Sequence, residues 1–396
     1  MGKATVEREA LKHALGVLAK CAYQKATLPA IQNVRFTANG HVQIEATDLE
    51  VSAVFKLARQ GKGGEFQALL PAQRLAEYVR KAKGDTVTFE RQDEFRTGLD
   101  GVAAMVGLSP LEDFPQTLGE DGKLLARVAA GELATALRVV KFAASSEVVR
   151  YALTGVLFEV RRTGTGNGPK SYKGAFVASD GKRLSAANVS VDSVDKAAQC
   201  RIIIPWKAAE LLERMAAGVD PLDWVEVRGV PVQATDAATG KKSETADMIQ
   251  AHFRVGVADL FSRLVQGHFP DWQAVVPANV DQVATFDRKQ AIVEIERVRQ
   301  ACTDKTLATR FTFGPGKLTL FSKTQDVGEA RADIPWEGNA QGSIVFNPDY
   351  VLDFLKALPK GSERVTLRFR DKACAGVFTG GIEGHSYVLM PLTINI

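Results

Sequence analysis

The chain has 396 residues, of which 45% are hydrophobic and 24% are charged, as is usual for a folded globular protein. This composition excludes a disordered chain, a collagen and a disulfide-stabilised miniprotein, and the length suggests about two to four domains. The net charge is +4, from 50 basic and 46 acidic side chains. A protein that coats nucleic acid is far more basic, so any contact with DNA would depend on the local placement of charge.

Nothing in the sequence indicates export, a membrane span or a metal site. The longest apolar runs are shorter than the ~20 residues of a membrane helix, and residues 1–9 lack the apolar core of a signal peptide. We therefore expect a cytoplasmic protein. Cys21, Cys200, Cys302 and Cys374 are too far apart for a zinc motif, and the five histidines form no metal-binding pair. The prediction is four reduced thiols in or near the core, with no metal and no cofactor.

The strongest pattern is a strand, a proline and a helix, and it occurs three times. An apolar run leads into Pro71, Pro205 and Pro348, and a helical pattern follows each proline. Because proline in the first turn of a helix costs no hydrogen bond, each copy indicates a helix start. A second helical pattern lies upstream of each copy. The six helices are predicted at 7–20, 71–83, 130–147, 205–216, 287–299 and 348–360.

Alternating apolar residues between and after these helices predict strands. They lie at 34–36, 43–48, 52–55 and 84–89 in the first copy, at 155–160, 175–180, 184–187 and 223–227 in the second, and at 311–313, 317–322, 330–334 and 363–369 in the third. We predict the α+β class, with three repeated two-helix, antiparallel-sheet domains at 1–121, 122–279 and 280–396. Three such copies suit a ring or a scaffold better than a duplicated catalytic domain.

One glycine-rich segment comes close to a phosphate-binding loop. Residues 164–171 read Gly-Thr-Gly-Asn-Gly-Pro-Lys-Ser, but Pro169 stands where the motif needs a glycine directly before its lysine. A strand is predicted after Ser171, whereas a phosphate loop leads into the N-terminus of a helix. We interpret the segment as part of a long hairpin loop, 162–173, to which the sequence assigns no role.

Two aspartates occupy equivalent positions in the first and second copies. Asp48 with Glu50, or Asp180 with Glu159, could form an acid–base pair. Each aspartate ends a strand, however, where it is more typical of a turn. No nucleophile lies in a known motif together with a base. A hydrolase or nucleotidyl-transfer enzyme on a repeated scaffold remains the alternative function.

Charge is placed unevenly along the chain. The six predicted helices together carry a net charge of +5, which exceeds that of the whole chain. If the helices share one surface, that surface is mildly positive and could hold duplex DNA loosely, without regard to base sequence. Ordinary solvated helix faces explain the same charges equally well.

Short phrases spread over the whole chain are more specific. They are Thr-Leu-Pro at 27–29, Ala-Thr-Asp-Leu-Glu at 46–50, Asp-Phe-Pro at 113–115, Val-Arg-Tyr at 149–151, Ala-Ser-Asp-Gly-Lys-Arg-Leu at 178–184, Phe-Pro-Asp at 269–271, Phe-Asn at 346–347, Tyr-Val-Leu-Asp at 350–353 and Met-Pro at 390–391. In this order and spacing, the phrases resemble the bacterial sliding clamp, the beta subunit of DNA polymerase III.

The resemblance implies a head-to-tail homodimer of two three-domain crescents, which together form a six-domain ring whose twelve helices face a central hole. It implies a non-catalytic processivity factor that encircles duplex DNA and tethers the replicative polymerase. The expected partners are double-stranded DNA, the polymerase catalytic subunit, the clamp loader, repair polymerases, and ligase or mismatch-repair factors.

The resemblance also assigns residues to two functions. A groove for partner peptides rich in Gln, Leu and Phe would consist of Leu153, Ser179, Gly181, Lys182, Arg183, Leu184, Pro270, Val275, Asn347, Tyr350, Val388, Leu389, Met390, Pro391 and Leu392. Within it, Arg183 and Asn347 would lie at the edge and hold the peptide. The DNA-binding residues would be Lys25, Arg80, Lys83, Arg150 and Tyr151.

The sequence departs from the family pattern at the expected subunit interface. Segments 103–108 and 297–304 would meet there, and Ala104, Val106 and the Gln300-Ala301 pair are smaller or more polar than is usual. A dimer weaker than the family norm is therefore expected. Ala274 also replaces an arginine that is common at the rim of the groove.

Overall fold

The computed structural model describes most of the chain. The described residues are 2–23, 27–107, 109–119, 122–163, 171–192, 200–235, 242–303 and 306–394. Lys25 and most of the glycine-rich segment 164–171 lie outside these ranges. No helix within them is both long and apolar enough to cross a membrane.

The three predicted copies are present as repeats of helix, strands, helix and strands. The first contains β1 (Lys3–Glu7), α1 (Arg8–Cys21), β2 (Asn33–Ala38), β3 (Val42–Thr47), β4 (Val51–Leu57), β5 (Arg59–Gln60), β6 (Phe66–Pro71), α2 (Ala72–Lys81), β7 (Thr86–Arg91), β8 (Arg96–Leu99) and β9 (Ala103–Val106).

The second contains β10 (Lys123–Ala129), α3 (Ala130–Val140), β11 (Gly155–Thr163), β12 (Ser171–Ser179), β13 (Arg183–Ser190), β14 (Cys200–Pro205), α4 (Trp206–Ala216), β15 (Trp224–Thr235), β16 (Lys242–Val255) and β17 (Ala258–Arg263). The third contains β18 (Gln282–Asp287), α5 (Arg288–Arg299), β19 (Thr309–Gly314), β20 (Lys317–Thr324), β21 (Gly328–Gly338), β22 (Gly342–Phe346), α6 (Pro348–Ala357), β23 (Arg364–Phe369), β24 (Gly376–Thr379) and β25 (His385–Leu389). The predicted α+β class is confirmed.

The chain separates into two compact units. The first unit comprises Met1–Ala134, Val191–Ala198 and Lys207–Leu264. It holds a five-stranded sheet in the order β5-β1-β7-β8-β9 and an eight-stranded sheet in the order β10-β15-β16-β17-β4-β3-β2-β6. Phe36 on β2 stacks between Phe66 and Phe89, with ring centroids 5.4 and 4.4 Å away, and so joins the two sheets in one core.

The second unit comprises Thr135–Ser190, Gln199–Trp206 and Val265–Ile396. Its twelve strands form one sheet in the order β14-β11-β12-β13-β25-β24-β23-β18-β21-β20-β19-β22. The core contains Phe354 and Tyr387, whose rings stack with centroids 5.0 Å apart. The buried hydroxyl of Tyr387 donates to the carbonyl of Tyr350 at 2.9 Å, and burial raises the pKa of that hydroxyl.

Strand pairing between consecutive repeats follows the same plan in both units. In the first unit, five residues of β17 pair with β4, from Ala258 with Phe55 to Ser262 with Val51. In the second unit, five residues of β25 pair with β13, from His385 with Ala187 to Leu389 with Arg183. The last strand of one repeat therefore extends the sheet of the repeat before it.

One predicted helix is too long. The helix expected at 130–147 ends at Val140, and a short 3₁₀ turn, Lys141–Ala143, follows it. Beyond this turn the backbone has other partners: the N–H of Ser145 donates to the carbonyl of Leu153 at 2.8 Å, and the Ser145 hydroxyl accepts from the N–H of Glu147. The predicted helix starts are confirmed at all three prolines: Pro348 is the first residue of α6, and α2 and α4 begin directly after Pro71 and Pro205, which end β6 and β14. At those positions the missing N–H falls at the end of a strand.

The four cysteines are free thiols, as predicted. Cys21 and Cys200 are buried, and burial raises the pKa of each to about 12. Cys302 and Cys374 are half-buried. The predicted strand after the glycine-rich segment is also confirmed, since β11 and β12 pair up to Thr163 and Ser171.

His385 lies buried on β25 with 4% of its surface exposed. The hydroxyl of Ser185 donates to the carbonyl of Val139 at 2.6 Å, so it accepts from Nε2–H of His385 at 3.0 Å. Burial lowers the pKa of His385 to about 4, because the charged imidazolium would lose its hydration.

We expect the second unit to lose stability as the pH falls from about 6.5 towards 4, because the unfolded chain takes up the proton first. The full loss is roughly 3 kcal/mol, the free energy that corresponds to the difference between the two pKa values. Urea unfolding between pH 4.5 and 7.5 measures it. His385→Gln should flatten this dependence, whereas the control His268→Gln, at an exposed site, should not. An equally steep profile in His385→Gln would contradict the assignment.

Candidate functional site

A tight turn follows strand β12 and forms the first wall of the candidate site. Asp180 Oδ1 accepts from the backbone N–H groups of Lys182 and Arg183 at 2.9 and 3.0 Å. The hydroxyl of Ser179 accepts from the N–H of Gly181 at 3.1 Å. Gly181 has a φ of +85°, a conformation that favours glycine. Asp48 makes the same turn after β3, so both aspartates are turn residues, as the sequence indicated.

Strand β25 brings the C-terminal residues beside this turn. Val388 pairs with Leu184, and the N–H of Met390 donates to the carbonyl of Lys182 at 3.0 Å. Because side chains alternate along a strand, Val388 faces the site while Leu389 faces the core on the other side of the sheet. Met390 follows the strand and is 46% exposed.

A third wall comes from the chain after β17. Phe269 and Trp272 are buried, and they pack against Leu184 and Val388 in one apolar cluster. Arg201 holds this wall in place, because its Nη2 donates to the carbonyl of Phe269 at 2.6 Å.

These three segments enclose a groove of about 300 Å³. It is lined by Leu153, Ser179, Gly181, Lys182, Arg183, Leu184, Phe269, Pro270, Trp272, Val275, Val388 and Met390. Ten of the fifteen residues predicted for the partner groove are among them. That this groove binds a partner remains a prediction.

The other five predicted residues lie around the groove without lining it. Asn347 is the N-cap of α6 and accepts from the N–H of Asp349 at 2.9 Å. Leu389 belongs to the core, and Leu392 donates its N–H to the carbonyl of Val345. Tyr350 packs behind the groove, and Pro391 follows Met390.

Arg183 differs from its predicted place at the edge of the groove. Its guanidinium donates to Asp353 at 2.7 Å, to Asp180 at 3.0 Å and to the carbonyl of Phe142 at 2.9 Å. It also lies over the ring of Tyr350, 4.2 Å from the centroid. Only 9% of the side chain is exposed. These bonds fix Arg183 as part of the wall, where it joins the turn of β12 to helix α6.

The electrostatics of Arg183 support this structural position. Burial alone would lower the pKa of its guanidinium, but Tyr387, Asp353 and Asp180 together raise that pKa above its ordinary value. Arg183 is therefore charged, and its charge is balanced inside the second unit.

Sequence reasoning missed Phe269 and Trp272 as groove residues. Phe269 belongs to the Phe-Pro-Asp phrase that carried the resemblance, and Trp272 follows that phrase directly. The sequence therefore contained the information needed to predict them. A large apolar residue next to a segment already assigned to the groove is a candidate for the groove wall.

The residues predicted to bind DNA lie in different surroundings. Arg80 and Lys83 are exposed, and no ion pair reaches them from any described residue. Tyr151 is 55% exposed. Arg150 is tied down, because its Nη1 donates to the carbonyl of Asp180 and its Nε lies 3.3 Å from Glu147. Lys25 lies outside the described residues.

The alternative of an enzyme gains no support from the geometry. Ser185 and His385 are the kind of pair that a hydrolase uses, but here the histidine donates to the serine instead of accepting its proton. Both residues are buried. Among the described residues, no group of three or more His, Cys, Asp or Glu side chains could hold a metal ion.

Comparisons with known proteins place this architecture in the sliding-clamp class. Three family models match in order: the N-terminal domain of the DNA polymerase III beta subunit at residues 3–116, its central domain at 127–271 and its C-terminal domain at 273–393. The beta sliding clamp of Caulobacter vibrioides is 27% identical over 99% of this chain and 100% of its own length. That of Pseudomonas putida is 25% identical over 98% and 99%.

Solved structures agree in fold. A sliding clamp of Bartonella birtlesii bound to griselimycin has a TM-score of 0.79 at 25% identity and covers 99% of this chain and 100% of its own. The beta subunit of Thermotoga maritima has a TM-score of 0.80 at 20% identity and full coverage of both chains. The chain belongs to the family of DNA polymerase III beta subunits. Its function is that of a DNA sliding clamp, a non-catalytic processivity factor.

We expect Arg183→Met to destabilise the second unit by about 3 kcal/mol, because Asp180 and the carbonyl of Phe142 lose their partner. Asp353→Asn should cost less than about 1 kcal/mol, because Asp353 is 46% exposed. Urea unfolding of both variants measures the difference. Equal losses would mean that the buried contacts of Arg183 contribute little.

Proposed function

We propose that two copies of this chain pair head to tail into a six-domain ring around duplex DNA, and that the groove of the second unit binds partner peptides. The observation that carries the ring is the repeated strand junction. Each chain uses this junction twice internally, β17 on β4 and β25 on β13. The domains are those at 1–121, 122–279 and 280–396.

Each junction pairs the last strand of one repeat with the fourth strand of the repeat before it. One last strand and one fourth strand take no part in the two internal junctions, and they could join two copies. In the described sheets, β9 pairs on one side only, with β8. Strand β21 pairs with β20 at Gly328–Pro335, and it pairs with β18 only at Trp336–Gly338. Position in the repeat makes β9 the counterpart of β17 and β25, and β21 the counterpart of β4 and β13. A head-to-tail contact between β9 and β21 therefore closes the ring.

The repeat also predicts the register of this contact. Alignment of the paired strands makes Gly328, Glu329 and Ala330 correspond to Arg183, Leu184 and Ser185, and makes Ala103, Ala104 and Met105 correspond to Tyr387, Val388 and Leu389. Since Leu184 pairs with Val388, Ala104 should pair with Glu329 of the partner subunit.

The surroundings of the two edges suit such a contact. A groove of about 610 Å³ runs along β9 and the start of α2, with Met105, Val106 and Arg74 in its wall. On the other edge, the hydroxyl of Thr324, the last residue of β20, donates to the carbonyl of Ala301 at 2.9 Å. Because Thr324 pairs with Gly328, the chain just after α5 lies beside the start of β21. Within the predicted interface segment 297–304, Ala301 thus lies close to the strand that would pair.

The contact between copies should be less apolar than the junction inside the chain. Helix position makes Gln300 the counterpart of Phe142, which packs on Tyr387 with ring centroids 5.5 Å apart. A glutamine cannot replace that apolar contact, so the expectation of a weaker dimer stands.

A disulfide tests the register. In a background of Cys302→Ser and Cys374→Ser, the pair Ala104→Cys with Glu329→Cys should form covalent dimers on oxidation, because opposed residues of paired strands lie close together. The matched control, Ala104→Cys with Asp333→Cys, displaces one thiol by about 13 Å. Gel electrophoresis without reductant measures the yield. Equal cross-linking of both pairs would contradict the register.

The helices support a loose hold on DNA. Within their observed bounds they carry 14 basic and 9 acidic side chains, so their net charge of +5 equals that of the predicted helices. Many of these charges are paired, for example Lys12 with Glu9 and Arg297 with Glu294. Arg80 on α2 and Lys83 just after it are not paired among the described residues, so they are free for phosphate. The proposed DNA-binding residues also include Lys25, Tyr151 and Arg150. Of these, Arg150 is held by its contacts with Asp180 and Glu147.

Arg80→Glu with Lys83→Glu should weaken binding to duplex DNA at low salt and reduce the salt slope by about 2, since each lost phosphate contact removes about 0.9. The control, Lys12→Glu with Arg297→Glu, makes the same change of charge at paired positions and should have a smaller effect. Titration of labelled duplex over a range of salt concentrations measures both. An equal effect of the two double variants would show that only net charge matters.

The groove fits a short peptide with large apolar side chains. Its walls are apolar, its volume is about 300 Å³, and Met390 at its mouth can adapt to different sequences. We infer that it takes Gln-Leu-x-Leu-Phe-type segments from the polymerase catalytic subunit, the clamp loader, repair polymerases and ligase or mismatch-repair factors. All of these act on the chromosome, so the protein would work in the cytoplasm.

Met390→Ala with Val275→Lys should weaken binding of such a peptide more than tenfold, because both residues line the groove. Both are about half exposed, so the fold should survive. Val257→Lys, at a valine that is 63% exposed in the first unit, is the control. Fluorescence anisotropy of labelled peptide measures affinity. Unchanged affinity in the folded double variant would place the peptide site elsewhere.

A further inference from the structure

A buried carboxylate lies behind the groove. Glu159 on β11 is 3% exposed, which is rare for a glutamate and costly unless its charge is balanced. Two partners balance it. Arg161 contacts it through Nε at 2.9 Å and Nη2 at 3.0 Å. The indole Nε1–H of Trp272 donates to Oε1 at 2.9 Å.

The indole is thereby fixed at its polar edge while its apolar ring forms part of the groove. Trp272 is 8% exposed and packs in the cluster that contains Leu184 and Val388. The chain before it is fastened separately, since Arg201 donates to the carbonyls of Phe269 and Pro270 at 2.6 and 3.3 Å. With the main chain fixed on one side and the indole N–H on the other, the ring has little freedom to rotate.

A rigid wall determines which side chains the groove admits. A cavity of about 150 Å³ is enough to hold a benzene molecule, so a groove of 300 Å³ has room for two groups of about that size. If the indole turned, the free volume would spread over more positions and each would fit its guest less well.

We propose that Glu159 is a positioning residue for partner binding: through the indole N–H it holds Trp272 as a fixed wall that selects a pair of large apolar side chains, leucine and phenylalanine, from the partner segment. This inference rests on the proposed peptide-binding function of the groove. Glu159 touches no ligand itself. It acts through Trp272, and Arg161 neutralises its charge.

The test uses the full-length protein and the synthetic peptide Gln-Leu-Ala-Leu-Phe. Glu159→Ala should weaken binding of this peptide about tenfold, whereas Glu159→Gln, whose amide oxygen still accepts from the indole, should recover most of the affinity. A purely structural role would lower the melting temperature of Glu159→Ala and leave the affinity of the folded protein unchanged. Unchanged affinity would overturn the proposal.

Fluorescence gives a second readout that reports on Trp272 directly. With Trp206, Trp224 and Trp336 replaced by phenylalanine, the emission of Trp272 should change when the peptide binds, and in Glu159→Ala the free protein should already emit at longer wavelength. A Trp272 emission spectrum that changes neither on peptide binding nor in Glu159→Ala would overturn the proposal.

If Glu159→Ala does not fold, Trp272→Phe decides, because it keeps a ring in the wall and removes only the N–H that Glu159 holds. It should bind the peptide several-fold more weakly, and wild-type affinity would overturn the proposal. Different results would refute the proposed peptide-binding function and the proposed role of Glu159. Absence of peptide binding to the wild type would refute the proposed function, whereas normal binding that is insensitive to Glu159 and Trp272 would refute only this inference.

Discussion

The five paired residues of β13 and β25 are the constraint on which the candidate site depends. They bring together the turn after β12, at Ser179–Gly181, and the C-terminal residues Val388 and Met390, which are about 200 positions apart in the sequence. Backbone hydrogen bonds fix this register, and a slip by one residue would turn Val388 into the core and Leu389 towards the groove. The strand pairing therefore brings two walls of the groove together, and the side chains on it determine whether an apolar groove results.

The repeat made most of the fold predictable. Six helices and the strands between them follow from periodicity and from three prolines, because each copy must bury one face of its helices against a sheet. The failures are local. Helix α3 is shorter than predicted, and the segment after it bonds through Ser145 to Leu153 and Glu147 instead of forming further helical turns, which no apolar pattern shows. How the strands pair between repeats is a long-range property that the sequence alone does not reveal.

For the candidate site, the sequence predicted which segments form the groove but not the orientation of each side chain. Family phrases found the segments of the groove, but a phrase does not say which way each side chain points. Alternation along β25 could have separated Leu389 from Val388. The position of Arg183 could not have been found in this way, since its partners Asp353 and Phe142 come from distant parts of the chain. The same holds for Glu159, whose role becomes visible only when Trp272 lies beside it.

The two internal junctions show why architecture alone does not make a binding site. Asp48 repeats the turn of Asp180, and the N–H of Arg263 donates to the carbonyl of Glu50 at 3.0 Å, as Met390 does to Lys182. The side chains differ, however. Ser52 takes the place of Leu184, and its hydroxyl accepts from the N–H of Leu118, so the chain itself lies against the sheet there. Arg263 takes the place of Met390, and its side chain reaches Glu50 at 3.7 Å. One backbone plan thus places polar contacts at the junction in the first unit and leaves an apolar groove in the second. A partner side chain can displace water from Leu184 and Met390, but at the first junction it would have to break the hydrogen bond of Ser52 and the ion pair of Arg263.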